Sequence, residues 1–139
     1  MLARLGEAGA VTAIGHGEGN LSLLGGFADA IVYSSAVTPD NPERAAAKAN
    51  AIPQFHRAQL LAHFVNSAKL SIAVSGTHGK STTSAMVAHI LACLGKNPLA
   101  ILGAEYPPFG SNFRPGDADL VVVEADESDG SFTLLKTSI

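Results

Sequence analysis

The chain has 139 residues, of which 47% are hydrophobic and 15% charged, and its formal net charge is −3. These values are typical of a folded protein of about one ordinary domain and exclude a disordered chain. They also argue against nucleic acid as the main partner, because binding to a phosphate backbone needs clustered Lys and Arg and no basic run is present.

The N-terminus and the cysteine content bear on the cellular location. The first residues are not typical of a signal peptide, because Arg4 and Glu7 interrupt a short apolar stretch. No apolar run is long enough to span a membrane. The single cysteine, Cys93, lies on a predicted helix and is expected to be a small core residue, which excludes a disulfide framework or a cysteine metal cluster. We therefore expect a cytoplasmic protein with no membrane partner.

Helices and strands alternate in the first half of the predicted structure. The predicted elements are the end of a helix (2–7), a short strand (10–14), a strand (28–33), a helix (42–50), a short extended piece (51–55) and a helix (57–65). Asn41-Pro42 is typical of an N-cap followed by the first helical residue. Pro53 argues against a central strand in the extended piece. The last helix is predicted to bury an apolar stripe of Leu60, Leu61, Phe64 and Val65.

The second half continues the alternation. It is predicted to contain a strand (70–74), a helix from about residue 80, a strand (98–102), a loop (105–118) and a strand (120–124). Gly95 is expected to end the helix. The helix is predicted to bury a face formed by Val87, Ile90, Leu91 and Leu94. The order predicts an α/β fold with mainly parallel sheets. Each half has few strands and both ends look cut, so we expect parts of two Rossmann-like or P-loop domains, truncated at both ends.

A phosphate-binding loop is predicted at Ser75-Gly-Thr-His-Gly-Lys-Ser-Thr-Thr83, between a strand and a helix. The unpaired N–H groups at a helix start carry the positive end of the helix dipole and form an anion site. Lys80 can reach the outer phosphates of a nucleotide, and the hydroxyl of Ser81 can bind Mg²⁺. The loop is a shortened variant of the usual pattern, because Val74 stands where the first glycine is expected and Gly76 replaces it. The alternative is an ordinary strand-to-helix turn.

Acidic residues follow the last predicted strand, in Leu120-Val-Val-Val-Glu-Ala-Asp-Glu-Ser-Asp-Gly130. Ligands of parallel sheets bind beyond the carboxyl ends of the strands. We therefore expect Glu124 to lie beside Ser81, where carboxylate and hydroxyl oxygens would suit Mg²⁺. The alternative is a solvated acidic turn. Three further acids cannot all be metal ligands: Asp126, Glu127 and Asp129.

Together, the runs SGTHGKSTTSAM and VVEADESDGSF resemble the Mur ligases. GHGEGN (15–20) and IVYSSAVTPDNPE (31–43), followed by IP and RAQLLA, resemble the first domain of the same family. The match covers nearly the whole chain in the order found in the family, and its most specific parts are the loop and the acidic motif. The run DESDGSF resembles the alanine-adding branch.

The resemblance implies an ATP-dependent amide ligase of peptidoglycan synthesis. ATP would phosphorylate the carboxylate of UDP-N-acetylmuramate, and the amine of L-alanine would attack the acyl phosphate, releasing ADP and phosphate. Lys80 would stabilise charge on the transferring group, and Ser81 and Glu124 would hold Mg²⁺. The residues implied to cradle the phosphates of ATP are Gly76, Thr77, His78, Gly79, Lys80, Ser81 and Thr82.

The resemblance also implies contacts to the nucleotide sugar. The implied residues are His16, Ser34, Ser35 and Asn41. Each of the last three has a structural alternative, because Asn41 can be a helix cap and the two serines can be a polar strand end.

Departures from the family pattern suggest a segment of a longer ligase. Residues 80–82 read Lys-Ser-Thr where the family commonly has Lys-Thr-Thr, which keeps the hydroxyl. The family's opening glycine-rich loop, a later Asp-His metal strand and a C-terminal domain that brings the amino acid have no counterpart. We expect residues 1–68 to be the C-terminal part of the UDP-sugar-binding domain and residues 69–139 the first part of the central ATP-binding domain. Such a chain should be inactive alone.

Other functions stay open at this point. Within the family, a ligase that recycles muramyl tripeptide, or a cyanophycin or folylpolyglutamate synthetase, shares a similar phosphate loop. A different class is a non-catalytic nucleotide-binding module. A simple hydrolase is the third alternative, and His78 is its candidate in the loop for positioning a water.

Overall fold

The computed structural model describes residues 2–125 and 131–139. The helices are α1 (Leu2–Glu7), α2 (Pro42–Ala49), α3 (Arg57–Ser67) and α4 (Lys80–Cys93). The strands are β1 (Ile31–Tyr33), β2 (Gln54–His56), β3 (Leu70–Val74), β4 (Pro98–Tyr106), β5 (Ser111–Arg114) and β6 (Asp117–Glu124). Short 3-10 helices cover Glu18–Ser22, Pro107–Phe109 and Ser131–Leu134. The α/β class predicted from the sequence is confirmed.

The chain forms two compact units, Met1–Arg57 and Ala58–Ile139. In the first, β1 and β2 pair in parallel, with Tyr33 opposite His56. The unit has a small apolar core around Ala47, which is completely buried. The division falls at the start of α3, whereas the sequence predicted a domain boundary after residue 68. That family boundary stays a prediction.

The second unit is built on a four-stranded sheet in the order β3-β6-β4-β5. The pairs β3–β6 and β6–β4 are parallel, and β5 joins the edge in antiparallel orientation. Its centre is β6, whose residues Val121, Val122 and Val123 are all completely buried. Such a run is typical of a parallel strand covered on both faces.

Both faces of this sheet carry apolar clusters. Because side chains alternate along a strand, Val122 packs in one cluster while Val121 and Val123 pack in the other. The first cluster includes Ala85 and Ala88 of α4, and the second includes Val65 of α3. The result is a helix–sheet–helix sandwich, with α4, which follows the phosphate loop, on one face.

The free edge of β3 is covered by the end of the chain. The N–H of Ile139 donates to the carbonyl of Ser71, and the N–H of Ala73 donates to the carbonyl of Ile139, at 3.1 and 3.0 Å. Lys69, the residue before β3, donates a 2.5 Å hydrogen bond to Asp119 of β6. This bond, helped by the charge of the same carboxylate, raises the pKa of Lys69.

Two predicted segments differ from the structure. Residues 10–14 form no strand: no strand of the described residues pairs with them, and the whole segment is exposed, with Ile14 at 97%, so it buries no apolar face. Residues 105–118 are not simply a loop: β4 continues to Tyr106, β5 occupies Ser111–Arg114 and β6 begins at Asp117. The proline- and glycine-rich composition concealed an antiparallel edge strand.

The buried faces of two helices were predicted only in part. On α4, Val87 and Leu91 pack against the core as predicted, but Ile90 and Leu94 are exposed and the small residues Ser84, Ala85 and Ala88 are buried. On α3, Val65 is buried and Leu61 packs beside it as predicted, whereas Leu60 and Phe64 are exposed and Ala58 and Ala62 are buried. On α4, the small side chains let the helix lie close to the sheet. Cys93, predicted to be a core residue, is exposed at the end of α4.

A pair of leucines in the second unit tests the position of its core. Leu102 on β4 is 4% exposed, and Leu94 at the end of α4 is 70% exposed. Leu102→Ala should lower the free energy of unfolding by about 3 kcal/mol, because it leaves a cavity beside the sheet. Leu94→Ala, the matched control, should change it by less than about 0.5 kcal/mol. Urea unfolding followed by circular dichroism measures both, and equal losses would contradict this packing.

Candidate functional site

The phosphate loop lies between the end of β3 at Val74 and the start of α4 at Lys80. Gly79 occupies the N-cap position with φ of +78°, and no side chain caps the helix. A left-handed residue is needed there, and glycine adopts that conformation without a steric penalty. The N–H groups of the first turn of α4 therefore start without a side-chain acceptor, which is the condition for an anion site.

Lys80 folds back over its own loop. Its Nζ donates a 2.8 Å hydrogen bond to the carbonyl oxygen of Gly76. Behind it, the hydroxyl of Ser84, which is completely buried, donates to the carbonyls of Lys80 and Ser81 at 2.9 and 3.1 Å. The first turn of the helix is thereby fixed from its buried side, and the ammonium group stays at the exposed mouth of the loop.

Glu124 lies opposite the loop, at the carboxyl end of β6. The parallel register places Glu124 beside Val74, the residue from which the loop departs. A cleft of about 310 Å³ results, lined by Thr77, His78, Gly79, Lys80, Ser81, Thr82 and Glu124. The structure thus brings the predicted phosphate-binding residues and the predicted carboxylate together, whereas their chemical roles stay predictions.

A second cleft adjoins the first and shares two residues with it, Ser81 and Thr82. Its volume is about 230 Å³, and its other lining residues are Ala85, Met86, Ala104, Glu105 and Tyr106. The ring of Tyr106 packs edge-on against His89 and Phe109, which fixes the wall formed by the end of β4. The first turn of α4 therefore borders two clefts that differ in their other lining residues.

The sequence did not identify Gly103 as part of this site. Its N–H donates a 2.9 Å hydrogen bond to Oε2 of Glu124. A Cβ added at Gly103 would overlap the carboxylate. A glycine inside a predicted strand can mark such a close approach, but the residue that approaches is distant in the sequence and only the pairing of β4 with β6 reveals it.

Among the described residues, no group of three or more His, Cys, Asp or Glu side chains could hold a metal ion. Ser81 and Glu124 could therefore supply only part of a magnesium coordination sphere, as is usual when phosphate and water oxygens supply the rest. The further acids predicted near this site, Asp126, Glu127 and Asp129, lie outside the described residues.

The residues implied to contact a nucleotide sugar lie in the first unit, in two groups. The first group is at the start of α2, where Oδ1 of Asn41 accepts from the N–H groups of Glu43 and Arg44 at 3.0 and 3.4 Å. Nδ1 of His16 is 3.6 Å from Oε1 of Glu43, which also accepts a 2.5 Å hydrogen bond from Asn20. The GHGEGN run therefore folds onto the start of α2.

The hydrogen bonds of Asn41 show that it is a helix cap. Next to it, a hydrogen bond from the side chain of Thr38 lowers the pKa of Asp40. Both groups are thus held by local bonds of the turn before α2.

The second group lies at the carboxyl end of β1. Ser34 and Ser35 follow the strand directly, and Oγ of Ser35 is 3.0 Å from Nε2 of His56. His56 ends β2 and packs edge-on against Tyr33, whose ring lies 3.8 Å below the guanidinium of Arg44. The sequence did not identify His56, because its place beside the end of β1 follows from the pairing of β1 with β2, which no local pattern shows.

The N-cap can be tested directly. Asn41→Ala should lower the free energy of unfolding by about 1 kcal/mol, because two N–H groups of the first turn of α2 lose their acceptor. Asn41→Asp keeps an acceptor at the same position and should retain most of the stability. Thermal unfolding of both variants measures the difference, and an Asn41→Ala protein as stable as the native chain would show that the cap is unimportant.

The sequence comparisons find relatives over nearly the whole chain. Residues 1–69 match a family model described as "Mur ligase family, catalytic domain". The UDP-N-acetylmuramate–L-alanine ligase of Maricaulis maris is 46% identical over 136 residues, which is 98% of this chain. That of Solidesulfovibrio magneticus is 46% identical over 95% of the chain. The chain is therefore similar to Mur ligases over nearly its whole length. It spans 28% of the length of these two relatives.

Solved structures of Mur ligases give the same result. The UDP-N-acetylmuramate-alanine ligase of Thermotoga maritima matches with a TM-score of 0.86 and 32% identity, over 97% of this chain and 31% of that one. The UDP-N-acetylmuramate:L-alanyl-gamma-D-glutamyl-meso-diaminopimelate ligase of Neisseria meningitides matches with a TM-score of 0.77 and 26% identity, over 91% and 41%. The family consists of ATP-dependent amide ligases. Within the described part of the chain, no helix is long and apolar enough to cross a membrane.

Proposed function

We propose that this chain is part of an ATP-dependent ligase that joins L-alanine to UDP-N-acetylmuramate in peptidoglycan synthesis. The single observation that carries the proposal is the cleft in which Lys80, Ser81 and Glu124 meet beside an uncapped helix start. The 46% identity to L-alanine ligases supports the choice of amine. The reaction would phosphorylate the muramate carboxylate with ATP, and the amine would then displace phosphate from the acyl phosphate.

In this proposal the loop binds the phosphates through backbone N–H groups at the start of α4. Lys80 leaves its hydrogen bond with Gly76 and pairs with a phosphate oxygen as negative charge shifts during transfer. The second cleft, which shares Ser81 and Thr82 with the first, would receive the acyl group next to the transferring phosphate. Positioning of ATP and the muramate carboxylate would account for much of the rate, because the protein needs to do little covalent chemistry in phosphoryl transfer.

The oxygens of Ser81 and Glu124 fit a magnesium ion by their chemistry. Polyphosphate entering this cleft would meet the carboxylate of Glu124, and two negative groups at short range repel each other unless a cation lies between them. When bound, Mg²⁺ would neutralise charge on the phosphate oxygens. Ser81 and Glu124 would hold it from the protein side, with phosphate and water supplying the other ligands.

The first unit would contribute to the nucleotide-sugar site. Ser34, Ser35 and His56 lie at the carboxyl ends of two parallel strands, where ligands of α/β sheets bind. His16 would contact the sugar nucleotide from the start of α2. Asn41 would act there through the helix start that it caps. In the same proposal residues 1–68 and 69–139 are parts of the UDP-sugar-binding and ATP-binding domains of a cytoplasmic enzyme.

Titration of Mg-ATP into the chain, followed by calorimetry, tests the nucleotide site. Lys80→Ala should abolish measurable binding, because the charge that pairs with the phosphates is lost. Lys96→Ala removes an equal charge from the exposed turn after α4 and should leave the affinity unchanged. Equal affinity of Lys80→Ala and the native chain would discard the assignment of the loop.

The nucleotide sugar separates an enzyme segment from a module that only binds nucleotide. UDP-N-acetylmuramate should raise the unfolding temperature of the chain, since a ligand that binds only the folded state stabilises it. UDP-N-acetylglucosamine, which lacks the lactyl carboxylate, is the control and should give a smaller rise. A response to Mg-ATP with none to UDP-N-acetylmuramate would favour a nucleotide-binding module.

A second candidate is the ligase that attaches a tripeptide to UDP-N-acetylmuramate. It is favoured by the match to the Neisseria meningitides structure, although at lower identity and TM-score than the Thermotoga maritima match. Both functions would use ATP and the same nucleotide sugar, and they differ in the amine. Because we expect this chain to be inactive alone, the test uses a longer ligase that contains it. Release of ADP by that ligase in response to L-alanyl-gamma-D-glutamyl-meso-diaminopimelate and not to L-alanine would favour this candidate.

A further inference from the structure

Gly103 occupies an unusual place in the site, because a backbone group and not a side chain contacts the carboxylate. It lies near the end of β4, on the strand next to β6, and its N–H donates a 2.9 Å hydrogen bond to Oε2 of Glu124. A carboxylate oxygen has further lone pairs, so this bond leaves acceptor capacity on both oxygens of Glu124. The bond therefore orients the carboxylate and leaves both of its oxygens able to bind a further group.

The space around Gly103 is the second observation. A Cβ at this residue would fall on the carboxylate of Glu124, so that any other residue type would displace the group. Gly103 does not have the positive φ of the loop glycine Gly79, and alanine can adopt its backbone conformation. The requirement for glycine at this residue is thus imposed by the carboxylate and not by the backbone.

We propose that Gly103 is a positioning residue that fixes the carboxylate of Glu124 for binding the divalent cation of a nucleotide. The proposal rests on the proposed function, because it assumes that the cleft takes a metal–nucleotide complex. Its N–H sets the orientation of Oε2, and its missing side chain leaves room for the carboxylate beside the loop. Groups that orient a metal ligand commonly change metal affinity by about 10- to 100-fold when they are altered.

Gly103→Ala should separate this role from a structural one. The atoms that the new methyl group would meet are the far end of a flexible side chain, which can rotate away. The unfolding temperature should therefore change little. At Gly116, by contrast, a Cβ would meet the backbone of Pro98 and Leu99, and Gly116→Ala should lower the unfolding temperature. A third variant, Gly26→Ala, adds a methyl group in open space and is the neutral control.

The readout is the affinity for Mn²⁺ in the presence of ADP, measured by electron paramagnetic resonance, beside the affinity for ADP without metal. In Gly103→Ala we expect Mn²⁺ affinity to fall at least about tenfold, with metal-free ADP affinity unchanged. Gly26→Ala should match the native chain in both. Unchanged Mn²⁺ affinity in a folded Gly103→Ala protein would overturn the proposal, and so would an equal loss of metal-bound and metal-free affinity.

A separate arm decides the proposal if the native chain binds no nucleotide, a result that would count against the proposed function. The amide proton of Gly103, observed by NMR, should change its chemical shift in Glu124→Ala, because its hydrogen-bond acceptor is removed. Glu105→Ala, which removes a nearby carboxylate, should leave the chemical shift of this amide proton unchanged. A Gly103 amide that is insensitive to Glu124 would overturn the positioning role irrespective of nucleotide binding.

Discussion

The parallel pairing of β3 with β6 is the constraint on which the site depends. It places Val74, where the phosphate loop begins, beside Glu124, where the central strand ends. A shift of one residue in this pairing would move Glu124 away from Val74. The register therefore sets the distance between the loop and the carboxylate, on the same strand whose valines are completely buried between α3 and α4. Packing and chemistry are linked through a single register.

Packing on the buried side of α4 also prepares the loop. Ser84, Ala85 and Ala88 face the sheet, and small side chains allow the helix axis to approach closely. The Ser84 hydroxyl bonds back to carbonyls of the first turn, where it satisfies a buried polar group and holds Lys80 and Ser81 on the opposite, exposed side. The start of the helix, where we propose that phosphate binds, is in this way supported by core contacts without a side-chain cap, which would compete with a phosphate for the same N–H groups.

Signals carried by residues close together in the sequence made most of the fold predictable. Contacts between residues distant in the sequence could not be predicted. The Asn41-Pro42 pair predicts both the start and the cap of α2, and the glycine–lysine loop predicts the strand before it and the helix after it. Both predictions succeed because capping bonds and glycine conformations involve residues only a few positions apart. Apolar periodicity predicted α3 and α4 and part of their buried sides, such as Val65, but it missed the small residues that are buried beside them, such as Ala62 and Ala88. Gly103 and His56 could not be found in this way: each acquires its meaning from a partner strand distant in the sequence.

The two charged groups of the cleft differ in how firmly they are held. Glu124 is oriented by a backbone N–H from the neighbouring strand, so its position is part of the sheet. Lys80 is bonded through a long side chain to a carbonyl of its own loop, and it can exchange that carbonyl for a phosphate at the cost of rotating a few side-chain bonds. A firmly held carboxylate suits a metal ion, which demands a definite ligand geometry. An ammonium on a long side chain suits a transferred group whose negative charge shifts during the reaction. The sheet and the loop thus meet opposite requirements within one cleft.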